Sequence, residues 1–459
     1  MAGLFLEVSR YRACASRRGC IRKALIGGST MRSAAHLASK TLTFILAGGK
    51  GERLYPLTAD QPKPALPFGG VFRIIDFTLS NVLNSGLRHI YLLTQYKQER
   101  LHSYVREGWP QLCNEFRRDN GEEIVCLPPS EGKRYRGTAD AVFQNLGLIE
   151  KSRSAYVLIV SADQVYHMDY GELLYRHAMS CADLTMVAVQ YPVQLAGPLG
   201  VIEAEPSGRL IGFESNPVPL RPLQSNPEKA PVNMGVYLFG RESLIETLRK
   251  NVDLNGCDDF GRDILPGMIR SGRTVVFDFG GYWRHIDTLD GYYEANLDLL
   301  LPGAAWDPYE NAAWPTRTLA GPQCLQRSWL ASQSRVSLDA TLTACEVWMS
   351  IVSKGVRIDA DAELEAAIVL PGAHIGSGAK IRNAIVAEQA VVSPHAVIGH
   401  DTEGDWPQFP VTEKGVVIVG APEPSHPRVP WQSSHLPVTA HHSIALLRRR
   451  EIQRKMKKQ

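Results

Sequence analysis

The chain has 459 residues, 44% hydrophobic and 21% charged, with a formal net charge of +3. That length exceeds one ordinary core, so two domains are expected, and the composition is that of a soluble globular protein. So small a basic excess argues against nucleic acid as a partner, and no apolar run nears the roughly 18 residues of a membrane-spanning helix. Eight scattered cysteines without a C-x-x-C imply neither a zinc site nor a disulfide framework, which suits a cytoplasmic location.

Residues 1–30 carry Arg10, Arg12, Arg17, Arg18, Arg22 and Lys23 with one Glu and no Asp. Such a stretch reads either as a targeting segment or as an unstructured extension ahead of a second start at Met31. Residues 1–40 are set aside from the fold on either reading. From 42 to about 290, the runs LTFILA (42–47), HIYLLT (89–94), YVLIVS (156–161), LTMVAVQ (184–190) and TVVFDF (274–279) have the continuous apolar character of strands buried on both faces. Helical patterns separate them. Phe77, Val82 and Leu83 mark one helix closed by Gly86; Val142, Leu146 and Ile149 mark another, with Thr138 as its N-cap. Alternating strands and helices predict a doubly wound α/β domain over 41–300 with a mostly parallel sheet, whose ligands bind at the strand carboxyl ends.

A linker is expected over 301–340, and a second regime follows over 341–420. Ile358, Leu364 and Leu370 are six apart, as are Ile375 and Ile381, then Val386, Val392 and Ile398. Alanines stand two positions before several of them, and the beat slips to five between 370 and 375 and between 381 and 386. This pattern predicts a parallel β-helix. The basic tail within 421–459 reads as a solvated face.

The chemistry lies where the first strand runs into AGGKGERLYPLT (47–58) and then PKPALPFGG (62–70). Glycines 48, 49 and 51 let backbone N–H groups approach phosphate oxygens, while Arg53 and Lys63 supply fixed positive charge. The spacing fits neither a Rossmann G-x-G-x-x-G nor a Walker loop. Together with FRIIDFTLSN, YRGTADAVFQN (135–145), FGRDILP (260–266), YWR (282–284) and ANLDLL (295–300), these motifs resemble the bacterial ADP-glucose pyrophosphorylases, from about 43 to about 420. The resemblance implies a nucleotidyltransferase sheet followed by a left-handed parallel β-helix. It implies an enzyme joining ATP and glucose 1-phosphate into ADP-glucose and pyrophosphate, with Mg²⁺ as cofactor. It implies a tetramer, or a hetero-oligomer with a related subunit, controlled by an anionic metabolite for which Arg73, Lys354 and Arg357 are candidate contacts.

Carried over by motif, Arg53, Lys63 and Asp163 are the catalytic candidates. Leu46, Ala47, Gly48, Gly49, Gln95, Gly137, Thr138, Ala139 and Asp140 would meet the nucleotide. Tyr135, Gly200, Ser215, Asn216 and Asn233 would line the nucleotide-sugar site. Ala162 and Gln164 replace the residues that usually flank the aspartate, Ser215 and Asn216 replace a glutamate and a lysine, and Asn233 replaces a serine. His285 stands where a second metal-binding aspartate is expected. Asp287, two residues on and facing the same way if the segment is extended, is then the second metal candidate beside Asp163. Two readings fit these departures: an active enzyme with altered acceptor preference, or a weakly active or inactive regulatory subunit that still binds nucleotide. A β-helix acyltransferase would place a histidine at a coil interface, but His374 and His395 sit in turn-like contexts (PGAH and SPHA) that read as surface, and this reading leaves the glycine-rich loop without a purpose.

Overall fold

The computed structural model describes residues 30–114, 124–215, 227–255, 258–301, 306–311, 313–318, 325–326, 331–400 and 408–420. Asn216 and the tail beyond 420 therefore lie outside the described residues. The first domain is built on strands β1 (Thr41–Ala47), β2 (His89–Thr94), β3 (Ile124–Leu127), β4 (Tyr156–Ser161), β5 (Leu184–Pro192), β6 (Val201–Ala204), β7 (Leu210–Glu214), β8 (Lys229–Gly240) and β9 (Thr274–Phe279). They run in the order β7-β6-β8-β4-β1-β2-β3, and β5 joins β8 to β9. Parallel pairing links β4, β1, β2 and β3, whereas β8 lies antiparallel to β4 and β5. Residues such as Phe44, Ile45, Leu158 and Val160 are wholly buried because helices cover both faces.

Two details of the first domain differ from expectation. Residues Thr30–Ser39 form a helix against Tyr170–Ser180, with Leu37 and Ala38 in the core, so the folded part begins before residue 41. Thr138 is not an N-cap: the cap position of the helix Thr138–Gln144 is Gly137, and the Thr138 hydroxyl turns aside to donate to Asp259 Oδ2 at 2.9 Å. The helix Ile74–Asn84 does end as its sequence predicts. Gly86, at φ 78°, donates to the Leu83 carbonyl and Leu87 to that of Val82, a Schellman closure.

The second domain is a left-handed parallel β-helix whose central coils place matching residues seventeen apart. Ile358, Ile375 and Val392 stack on one face; Leu364, Ile381 and Ile398 on the next; Val352, Val369 and Val386 on the third. Spacings of six, six and five recur from Val352 to Ile398, so the slip in the beat is regular there, whereas the first coil is one residue shorter, with Val336 opposite Val352. The inward residue of the third face is Val369 rather than Leu370, which points out of the coil into a different cluster. Left-handed residues recur at corresponding corners, as in the series Met349, Ala366 and Asn383. The ladder also starts earlier than the expected linker allows. Ala331 pairs with Val347 and Arg335 with Ile351, and Thr318 donates to the Val71 carbonyl at 3.0 Å.

Leu370 packs with Ile368, Ile385, Val416 and Ile418 of the β-helix against Leu54, Phe68, Ile286 and Tyr292 of the first domain. The two domains thus share an apolar cluster, in which each large side chain contributes about 1.5–3 kcal/mol on burial.

Candidate active site

Parallel register brings the functional loops together. Leu46 lies opposite Ser161 and Ala47 opposite Thr94, so the glycine-rich loop, Gln95 and Asp163 all leave the sheet at the same edge. Gly51, at φ 66°, begins a one-turn helix over Glu52–Leu54; a Cβ there would stand 3.1 Å from the Lys63 Cβ. Only glycine combines that backbone with that approach. Gly49 has open space around it.

Lys63 sits at the centre of a charge cluster. Its side chain is 8% exposed, and Nζ donates to Asp163 Oδ2 at 3.0 Å and to Asp287 Oδ1 at 3.1 Å. Arg53, 63% exposed, pairs with the other oxygen of Asp287. His285 Nε2 lies 3.2 Å from Asp163 Oδ2, and the Ser161 hydroxyl donates to Asp163 Oδ1. Burial alone would destabilise both ions. The carboxylates outweigh it at Lys63, whose pKa rises above its ordinary value; Lys63 and His285 outweigh it at Asp163, whose carboxyl is held well below the usual range. His285 reaches Asp163 because Trp283–His285 pairs antiparallel with Gln164–Tyr166. Arg284, between them in the strand, turns the opposite way and binds Asp298.

Asp163 and Asp287 converge on one cationic point, and hard carboxylate oxygens suit Mg²⁺, which commonly takes one or two of them and completes its shell with phosphates and water. The donor set fits that ion. Among the described residues, no group of three or more His, Cys, Asp or Glu is placed to hold a metal.

The residues expected from their motifs to meet a nucleotide form a second group. The Gln95 carboxamide accepts from the backbone N–H of Tyr135 and donates to its carbonyl, and a Cβ on Gly48 would touch Gln95 at 3.3 Å. Asp140 is spent internally, accepting from the Arg136 backbone and guanidinium and from Gln144; these bonds overcome burial and lower its pKa. The N–H groups of Ala139 and Asp140 donate to the Asp258 carbonyl, against which Gly137 is pressed.

Among the residues expected to line the nucleotide-sugar site, Gly200 (φ 80°) lies under the Phe213 ring, 2.6 Å from where a Cβ would stand. Its carbonyl accepts from the Asn233 N–H at 3.0 Å. The Asn233 side chain donates to the Tyr237 hydroxyl and accepts from Gly235. Ser215 is exposed just past β7. Of the candidate effector contacts, Arg73 is bound to the Ala65 carbonyl and Gln61, and Arg357 to Asp359, while Lys354 is exposed.

Sequence reasoning missed Ser161, Gln61 and Phe213, for which no local pattern exists. It also left Gln164 without a role. This buried side chain donates to the Met234 carbonyl and accepts from Trp283 Nε1 at 2.9 Å, tying three segments behind the site. Gln164→Leu orphans both partners, and a stability loss of about 2–4 kcal/mol is expected in urea unfolding. A loss under about 0.5 kcal/mol would show that the bridge is dispensable.

The nucleotidyl transferase family model matches residues 42–301, and a GlmU-like C-terminal hexapeptide model matches 320–419. Glucose-1-phosphate adenylyltransferase of Paramagnetospirillum magneticum is 36% identical over 405 residues, covering 83% of this chain and 94% of its own. The protein of that name from Shewanella amazonensis is 38% identical over 84% of this chain and 96% of its own, and that from Koribacter versatilis 37% over 83% and 95%. The chain belongs to the glucose-1-phosphate adenylyltransferase family of nucleotidyl transferases.

Proposed function

We propose that this protein forms ADP-glucose and pyrophosphate from ATP and glucose 1-phosphate, with Mg²⁺, as a supplier of glucosyl units for glycogen synthesis. The observation that carries this reading is the Lys63–Arg53 pair set against Asp163 and Asp287 beside the glycine-rich loop. In the reaction, a phosphate oxygen of the sugar attacks the α-phosphorus, one P–O bond forms, and the bond to the departing pyrophosphate breaks. The nucleophile is already an anion, so no base is needed. The protein's task is alignment and charge neutralisation. Lys63 and Arg53 supply that charge by exchanging carboxylate partners for phosphates. Asp163 and Asp287 would hold Mg²⁺, whose chemistry here is to neutralise phosphate charge. Tetrameric or hetero-oligomeric assembly and control by an anionic metabolite belong to the same reading.

Pyrophosphate release by the purified protein, given ATP, glucose 1-phosphate and Mg²⁺, is the test. Turnover is expected from the unmodified protein alone. A double variant, Asn216→Lys with His285→Asp, is expected to lower KM for glucose 1-phosphate, since a cation facing the sugar phosphate is restored. Activity only in the double variant would instead identify a non-catalytic subunit, and release with a different sugar phosphate alone would change the assigned acceptor.

A further inference from the structure

Lys63 sits in a single turn whose two ends are held from outside, and one of the holders belongs to the β-helix. The turn is Lys63–Ala65, with Gln61 two residues ahead of the lysine. Gln61 is 4% exposed. Its Nε2 donates to Glu388 Oε1 at 2.7 Å, and its Oε1 accepts from Arg73 Nη1 at 3.3 Å. The same Arg73 nitrogen donates to the Ala65 carbonyl at the far end of the turn. Arg73 is itself fixed, with its guanidinium 4.8 Å from the Tyr104 ring centre and its backbone N–H on Asp76. Glu388 lies in the β-helix corner after Lys380–Val386, and its second oxygen faces Arg100 at 3.6 Å.

We infer that Glu388 is a positioning residue for Lys63, acting through Gln61 and Arg73, so that the β-helix sets the aim of the triphosphate-binding lysine. The inference rests on the functional reading above. Removing the Glu388 carboxylate leaves a buried carboxamide half-paired, and of the two outside holders of the turn's flanks only Arg73 remains. A hydrogen bond serving merely as an attachment between domains predicts something else: altered thermal stability with unchanged nucleotide affinity.

The experiment measures ATP affinity by calorimetry in the full-length protein, without sugar phosphate, so it does not depend on turnover. Glu388→Ala is expected to weaken ATP binding about fivefold to tenfold, within the range for coupling through packed networks. Glu388→Gln loses the Arg100 pair but keeps an acceptor for Gln61, and is expected to stay within about twofold of the parent. Gln61→Ala should match Glu388→Ala, and the double variant should be no worse than either, because both changes cut one chain. The inference is overturned if Glu388→Ala binds ATP like the parent, if Glu388→Gln is as weak as Glu388→Ala, or if the two alanine effects multiply. A parent that binds no ATP would overturn the functional reading along with it. Should the alanine variant not fold, parental affinity in Gln61→Ala decides against the inference.

Discussion

Replacing Lys63 with alanine is expected to lower kcat/KM for ATP by about 10²–10³-fold, the usual cost of removing one preorganised stabiliser of developing charge. Arg53 is a poor substitute because it is mostly exposed and already shares Asp287, whereas Lys63 is buried between both carboxylates. The same change should reshape stability against pH. Asp163 has a depressed folded pKa, so its contribution is present above its ordinary value of 3.8 and is lost as pH falls through the lower folded value. Lys63 has a raised pKa, so its contribution is present below 10.5 and is lost as pH rises through the higher folded value. The native cluster is therefore intact throughout the neutral range. Without Lys63, burial works on Asp163 with less opposition, and the acid limb of Tm against pH is expected to move to higher pH. An acid limb unchanged by Lys63→Ala would mean the pair does not set Asp163's charge.

Gly137→Ala is expected to be the most damaging single methyl among the glycines proposed to meet the nucleotide. The added carbon would stand 2.3 Å from the Asp258 carbonyl oxygen and 2.9 Å from its carbon. Both are backbone atoms, so no side-chain rotation relieves the clash. Overpacking of this kind costs about 1–3 kcal/mol. The displaced segment also carries Tyr135, which Gln95 holds through its backbone, so ATP affinity should fall with stability. Gly49→Ala is the control. Nothing lies within 4 Å of its added carbon, and its effect on chemical denaturation should stay within about 0.5 kcal/mol. Equal denaturation midpoints for the two variants would refute the argument.

What the sequence could convey follows from the range of the interactions. Buried parallel strands announce themselves locally, because every side chain in LTFILA or YVLIVS must be tolerated by an apolar layer. The β-helix also shows through, since its period is short. Its third face was misread by one residue because Leu370 is as apolar as Val369 but belongs to the interdomain cluster. Thr138 looked like a cap because residue preference carries no knowledge of Asp259, more than a hundred residues away. The meeting of Lys63 with Asp163 and Asp287 is invisible to any window of sequence, since separations of 100 and 224 residues are closed only by the sheet. Motif resemblance names those residues but does not predict that they neutralise one another.

The apolar cluster spanning both domains has a mechanical consequence. Ile368, Leu370, Ile385, Val416 and Ile418 are not the rim of a docking patch but part of one packed body with Tyr292 and Phe68. Swinging the β-helix away would bare all of them to water, so opening at this seam resembles partial unfolding more than hinge motion. Whatever closure accompanies substrate binding must come from movement within the first domain's own loops, and heat should melt the two halves in a single cooperative transition.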